Sequence, residues 1–389
     1  MINIPDIRDH DLDINNRIKI DISSYINLTL LKHGILSPVN SFHNLEETME
    51  IANSGRLPNG LPWSIPVLLP ENDEKSIRIK HGDEIILEFD GKDVALLKVD
   101  ERFSLNMREY CFKIFGTTSN VHPGVMNTQL KGNRFISGKL LGISLNTNHF
   151  STKQPVPETL RKLFKARRFK SVTAFQTRNP PHRGHEFLHK HALLSTDALL
   201  INPVLGPKKW GDFSDQEIFE SYNIYLDKYL PKRRTILLPL IYEMQYAGPR
   251  EALIHMIMRK NMGCTHFVIG RDHAGVGSFY HPYAAKEYVS QFRDIGIVPI
   301  FLKEAYYCKT CREISNDDIC PHDEGEKIHF SGTKIRSLFL ENKAPMSYEM
   351  RSEVYHRILE IRSNGQNSGR CVETSTNNGE VQADSTISC

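Results

Sequence analysis

Residues 171–191 read Ser171-Val172-Thr173-Ala174-Phe175-Gln176-Thr177-Arg178-Asn179-Pro180-Pro181-His182-Arg183-Gly184-His185-Glu186-Phe187-Leu188-His189-Lys190-His191. The β-branched and apolar run at 171–175 predicts a strand. It gives way at once to a polar run rich in hydrogen-bond donors. A helix is predicted to follow from Pro181 or His182, with Phe187, Leu188, Ala192 and Leu194 on its buried side. The unpaired amide groups at the start of such a helix favour phosphate or sulfate. His182 and His185, three apart, share one helix face. Gly184 removes a side chain where a ligand could approach the backbone. An anionic guest is the natural reading.

The same alternation runs onward. Strands are predicted at 199–204, 235–240, 266–269 and 297–301, and helices at 218–229, 249–262 and 283–292, with a last helical region from 331 to 340. Pro249 opens one of these helices and Gly263 follows it. Strands alternating with helices predict a parallel sheet covered on both faces, an α/β Rossmann-like domain. Ligands of such sheets sit beyond the carboxyl ends of the strands, where the 176–185 loop lies. Before residue 169 the pattern differs: 85–99 reads as two strands around an Asp-Gly-Lys-Asp turn, with shorter runs at 65–70 and 135–143 and a helix or two. The domain limits expected are 1–168 for a β-rich domain and 169–335 for the α/β domain, with a cysteine-bearing loop at 306–330. A small C-terminal α/β region follows at 336–362. The Ser, Asn, Gly, Thr and Gln of 363–389 predict a disordered tail.

Composition sets the class. The chain has 389 residues, 40% apolar and 24% charged, with a net charge of +3. That fits a soluble protein of two or three domains, and the charge balance argues against nucleic-acid or membrane partners. The basic run at 161–170 reads as a solvated helix face. No stretch approaches the roughly 20 apolar residues of a membrane span, and the N-terminus lacks the pattern of a signal peptide. Cys308, Cys311 and Cys320 cluster among seven cysteines; such spacing without export signals reads as a metal site in a cytoplasmic protein.

The motifs carry a resemblance. Gln176-Thr177-Arg178-Asn179-Pro180-Pro181-His182-Arg183-Gly184-His185 resembles the Q-T-R-N-P and H-R-(G/A)-H signature of the ATP sulfurylase (sulfate adenylyltransferase) family. Tyr246-Ala247-Gly248-Pro249-Arg250-Glu251-Ala252 and Gly270-Arg271-Asp272-His273-Ala274-Gly275-Val276-Gly277 are similar to that family's Y-A-G-P-R-E-A and G-R-D-H-A-G-x-G. Ser331-Gly332-Thr333 follows in the same order. Segments 59–66 and 116–125 resemble the family's first domain, which is PUA-like.

The resemblance implies a reaction: sulfate attacks the α-phosphorus of ATP, giving adenylyl sulfate and diphosphate. No protein nucleophile is required, so positioning and charge stabilisation should dominate. It also implies roles. Gln176, Arg178 and the Ala274 N–H would hold sulfate, and Thr177, Arg178 and Asn179 match the positions treated as catalytic. Asn179 would meet the α-phosphate region, and His182 and His185 the departing phosphates. Gly270, Arg271, Asp272, His273 and Phe330 would border the nucleotide, with Gln176 reaching it as well. Mg²⁺ would accompany ATP, held largely by phosphates and water. A homodimer or larger homo-oligomer is implied. Asn202 stands where the family has histidine, and Pro207 and Lys208 alter the loop that follows.

Cys308-x2-Cys311-x8-Cys320-Pro321-His322 has the spacing of a closed tetrahedral zinc site, and the resemblance implies one, since many prokaryotic family members carry such a site before S-G-T. The family pattern places histidine four residues after the third cysteine, where this chain has Glu324. His322 is expected as the fourth ligand, with His329 and Glu324 as alternatives. Two competing readings are an HxGH adenylyltransferase with an organic acceptor and a PUA-like RNA-binding module. Gln176, Arg178 and the Gly270 block weigh against the first, and the near-neutral charge against the second.

Overall fold

A computed structural model describes residues 4–9, 16–72, 78–145, 150, 154–207, 211–330 and 332–368. The N-terminal part builds a five-stranded sheet from β1 (Arg17–Lys19), β2 (Leu69–Pro70), β3 (Glu84–Phe89), β4 (Lys92–Ser104) and β5 (Arg134–Ile143), in the order β1-β3-β4-β5-β2. The predicted β3–β4 hairpin is present. It turns through Asp90 and Gly91 at φ 54° and 70°, the paired positive angles that a two-residue hairpin loop demands.

Helices are more numerous in this part than the sequence pattern predicts. They are α1 (Ile22–Lys32), α2 (Leu45–Ser54), α3 (Met107–Phe115), α4 (Pro123–Leu130) and α5 (Pro157–Ala166). Their caps are the clearest local signal. Asn44 and Glu47 form a reciprocal capping box at the start of α2, and Asn106 caps α3, each satisfying amide groups that a short helix otherwise leaves unpaired. In α5, within the basic run, Leu160 and Phe164 are buried while Lys162 and Lys165 lie in solvent.

The second part is the predicted α/β domain. Its strands are β6 (Val172–Thr177), β7 (Ala198–Leu205), β8 (Thr235–Leu237), β9 (Leu240–Ile241), β10 (His266–Ile269) and β11 (Val298–Phe301). They form a six-stranded sheet in the order β11-β10-β6-β7-β8, with β9 beside β7, and every pairing is parallel. Starting from β6, the chain builds outward through β7 and β8, then crosses back to lay β10 on the other side. The β6–β10 boundary is therefore where the winding direction reverses, and a crevice opens there beyond the strand ends.

Helices cover both faces: α6 (Arg183–Ser195), α7 (Asp215–Tyr229), α8 (Pro249–Asn261), α9 (Ala284–Val289), α10 (Gly332–Leu340) and α11 (Ser352–Ser368). Val172, Ala174 and Leu200 of the sheet share one apolar cluster with α8 and with the N-terminal domain. Phe175, Leu199 and Ile201 face the other way, into a cluster with α6, α7, α10 and α11. The segment at 336–362, expected as a small α/β region, thus contributes α10 and α11 to the cover of the main sheet. Helix α11 passes Ser363, where composition predicts order to end; residues 369–389 of that tail lie outside the described residues, as do Lys208 and Ser331.

One expectation fails on α6. Leu194 is 85% exposed, and the buried face instead carries Glu186, Phe187, His189, Ala192 and Leu193. Two polar side chains hold core positions there. Glu186 is neutralised by Lys190 at 2.6 Å and Arg351 at 2.7 Å, and His189 Nδ1 lies 3.2 Å from the Tyr225 hydroxyl. A pattern read from apolar residues alone therefore misplaces the face by part of a turn. A three-stranded antiparallel sheet, β12 (Tyr306–Cys308), β13 (Glu313–Ser315) and β14 (Lys327–His329), fills the cysteine-bearing segment in the order β13-β12-β14.

Candidate active site

Gln176 and Thr177 end β6, and the chain then turns through Arg178 and Asn179. Thr177 Oγ1 fixes the turn, accepting the Asn179 N–H and donating to the Asn179 carbonyl, both at 3.1 Å. Asn179 Oδ1 accepts a hydrogen bond from Arg336 Nη1 of α10 at 2.9 Å, and Arg336 also pairs with Asp212 at 3.3 Å.

His182 caps α6, its Nδ1 accepting the His185 N–H at 3.3 Å. The two imidazoles stack with centroids 3.8 Å apart, and His185 Nδ1 lies 3.2 Å from the Tyr222 hydroxyl. Burial lowers the His182 pKa to about 4. Burial, with His182 and His189 close by, holds His185 well below its ordinary value. Gly184 lies in the first turn of α6. A Cβ there would lie 2.8 Å from the Phe330 ring, so the missing side chain admits Phe330 against the helix start.

The opposite wall is the turn after β10. Ala274 has φ 57°, and its carbonyl accepts the Gly248 N–H at 3.1 Å. Loop and turn enclose one cavity of about 230 Å³, lined by Gln176, Thr177, Arg178, Asn179 and His185 from one side and Gly270, Asp272, His273 and Ala274 from the other. His182 stacks behind, between His185 and Phe330. Arg271 turns outward to Glu304 at 3.2 Å.

Two polar atoms at this cavity are buried without a hydrogen-bond partner among the described residues: Arg178 Nη1 and Gln176 Oε1. The Arg178 guanidinium lies over the Tyr246 ring at 4.9 Å. Leaving a buried charged donor unsatisfied is costly, so the arrangement suits an oxyanion that completes it. Burial raises the Asp272 pKa, opposed by the charges of Arg178 and Arg271.

The cysteine cluster is closed. His322 Nδ1 lies 3.5 Å from Cys308 Sγ, 3.3 Å from Cys311 Sγ and 3.5 Å from Cys320 Sγ, and Cys311 and Cys320 Sγ are 3.9 Å apart. With Zn–S near 2.3 Å and Zn–N near 2.0–2.1 Å, a tetrahedron has edges of about 3.8 Å (S···S) and about 3.5 Å (S···N). The four ligand atoms fit zinc. The alternatives are engaged with each other, His329 Nε2 lying 2.6 Å from Glu324 Oε1.

Comparison with known proteins gives the lineage. The family profile named ATP-sulfurylase matches residues 153–361, and one named PUA-like domain matches 8–145. A sulfate adenylyltransferase from Hyperthermus butylicus is 43% identical over 329 residues, 85% of each chain. One from Ignicoccus hospitalis is 42% identical over 344 residues, 88% of this chain and 90% of that one. The chain belongs to the ATP-sulfurylase family. Among solved structures, a hexameric APS kinase from Thiobacillus denitrificans aligns at TM-score 0.72 and 19% identity, a likeness of fold alone. The alignment covers 92% of this chain and 66% of that longer one.

Within the ATP-sulfurylase motifs, sequence reasoning gave no role to a polar stripe on α8. Glu251, His255 and Arg259 are spaced four apart and all fully buried. Three polar groups at i, i+4 and i+8, separated by the apolar runs Ala252–Ile254 and Met256–Met258, are the signal that would have found them. His255 Nε2 lies 3.2 Å from Gln176 Nε2 and 3.5 Å from Glu251 Oε1. On its other side, His255 Nδ1 lies 3.0 Å from His273 Nε2. The Arg259 guanidinium sits over the Phe267 ring at 5.7 Å, and burial lowers its pKa to about 9.

Proposed function

We propose that the chain is a sulfate adenylyltransferase, ATP + sulfate = adenylyl sulfate + diphosphate. A sulfate oxygen attacks the α-phosphorus, and the bond to the β-phosphate breaks with diphosphate taking the electron pair. The observation that carries the reading is the shared cavity at the β6–β10 crevice, with the donor Arg178 Nη1 beside it and without a hydrogen-bond partner among the described residues. Arg178, Gln176 and the Ala274 N–H hold sulfate. Thr177 and Asn179 fix the loop and meet the α-phosphate. His182 and His185 take the β- and γ-phosphates, and Gly270, Asp272, His273 and the Phe330 backbone border the nucleotide, with Arg271 at its rim. Two repelling anions are thus brought together by fixed donors that need no rearrangement as charge shifts to the leaving group. Mg²⁺ arrives with ATP, carried by its phosphates and water.

The first test is ATP formation from adenylyl sulfate and diphosphate by the full-length chain, paired with sulfate-dependent diphosphate release. Both are expected. A folded chain that releases diphosphate only with an organic acceptor would overturn the assignment.

Arg336 acts through Asn179. Arg336→Ala removes a charge-assisted hydrogen bond of about 1.5–3 kcal/mol, so kcat should fall about tenfold to a hundredfold, with a lowered melting temperature because the buried Asp212 side chain loses its partner. Steady-state kinetics beside a melting curve check this.

Zinc at Cys308, Cys311, Cys320 and His322 is structural in this reading: four protein ligands leave no open position for substrate. It would pin the three-stranded sheet of β12, β13 and β14 next to Phe330. Cys311→Ser should purify without the stoichiometric zinc of the parent and melt lower by about 5 °C, as elemental analysis and calorimetry would read. The domain limits 1–168 and 169–335, with 336–362 as a small region packed on the second domain's sheet, a cytoplasmic setting and a homodimer or larger assembly complete the proposal.

A further inference from the structure

Gln176 is oriented the wrong way round for its proposed role. Its amide nitrogen faces His255 Nε2 at 3.2 Å and Met244 Sδ at 3.7 Å, while Oε1 has no partner among the described residues. A sulfate dianion carries no proton and only accepts hydrogen bonds, so it gains nothing from Oε1. Half a turn about the last side-chain bond exchanges the two ends of an amide at almost no steric cost. Oε1 would then accept a hydrogen bond from His255 Nε2–H, and the NH₂ would be released toward the anion. That arrangement requires the His255 proton on Nε2. His255 Nδ1 must then accept, and its neighbour at 3.0 Å, His273 Nε2, must donate.

What biases the proton toward Nε2 is on the next turn of the helix. Glu251 Oε1 lies 3.5 Å from that same nitrogen, and both residues are fully buried. The carboxylate is fixed by the Gln245 and Ala247 N–H groups at 2.8 and 3.0 Å. A buried acceptor beside one ring nitrogen selects the tautomer with its proton there.

We infer that Glu251, His255 and His273 are positioning residues which set the direction of the Gln176 amide, and thereby the preference for sulfate over phosphate. The inference rests on the sulfate reading above. Hydrogen phosphate differs from sulfate by one O–H. A pocket of donors alone offers that O–H no acceptor, whereas an amide turned with Oε1 inward would supply one. Glu251 and His255 keep the NH₂ inward and so favour the fully deprotonated oxyanion.

The test uses the full-length chain and three constants: KM for sulfate, KM for ATP, and Ki for phosphate against sulfate. His255→Phe keeps the ring volume and removes both hydrogen bonds. It should raise KM for sulfate and shrink the sulfate-to-phosphate preference about tenfold each, leaving KM for ATP within about twofold, since one hydrogen bond to the anion is at stake. His255→Gln, whose amide reaches the Nε2 position, should restore part of both. A folded, active His255→Phe with unchanged sulfate KM and phosphate Ki overturns this inference alone. A parent without sulfate-dependent turnover overturns the sulfate reading and the inference with it. A neutron structure of the parent with sulfate needs no variant: a deuteron on His255 Nε2 supports the inference, and one on Nδ1 overturns it.

Discussion

Replacing Arg178 with alanine is expected to lower kcat by about 10³-fold or more, because one change removes a preorganised donor fork and its charge from a site that must hold two anions. The guanidinium is fixed before any ligand arrives. It lies over the Tyr246 ring at 4.9 Å, and its Nη1 has no hydrogen-bond partner among the described residues. Arg178→Lys restores charge without the fork and should recover only a small part, since an ammonium does not reproduce paired bonds to a tetrahedral anion. The expected pattern is a raised sulfate KM together with lost kcat, at a melting temperature close to the parent's. Retention of most of the activity in the alanine variant would remove Arg178 from the mechanism.

His185→Ala is expected to cost about 10²–10³-fold in turnover, the scale of losing one group that stabilises developing charge. The pH dependence gives an independent check. His182 has a pKa of about 4 in the protein by itself, and His185 is also well below its ordinary value, both through burial. A triphosphate or diphosphate alongside favours the charged imidazole and raises both values. Where the bound form holds more protons than the free form, binding tightens as pH falls. It does so between the bound pKa and the free one, and levels off below the latter. Corrected for the titration of diphosphate itself, affinity should therefore climb as pH falls toward about 4, with proton uptake visible by titration calorimetry in buffers of different ionisation enthalpy. In His185→Ala that slope should flatten. Net proton release on binding, once the protons of diphosphate itself are subtracted, would contradict the assignment of these rings to the phosphates.

Much of this site was legible because it is local. A strand, a donor-rich loop and a histidine-capped helix are contiguous from Val172 to Ser195, and the second wall follows β10 in the same way. The parallel order of the sheet then brings both to one crevice. What stayed hidden depends on side chains meeting across the fold. Gln176 and His255 are far apart in sequence, and nothing in the motif around Glu251 says that its carboxylate faces an imidazole one turn on. Helix α6 misled for a related reason: His189 and Glu186 occupy core positions once Tyr225, Lys190 and Arg351 satisfy them, so hydropathy alone pointed to Leu194. The short strands around the cysteines span three residues each, too few for an alternating pattern to register. Their pairing and the ligand spacing belong to one compact unit, of which only the spacing was readable.

The contact between the two lobes carries a mechanical consequence. Arg250, in the first turn of α8, donates to the carbonyls of Ile51, Ala52 and Ser64, and a single apolar cluster runs from the first sheet into one face of the second. Such a seam leaves no hinge between front and back of the molecule. Helix α8 is clamped from behind, so the wall bearing His255 is the stationary jaw of the cleft. Any opening and closing that admits nucleotide falls to the opposite jaw, where α10 and α11 are held to the sheet by a separate and smaller apolar cluster.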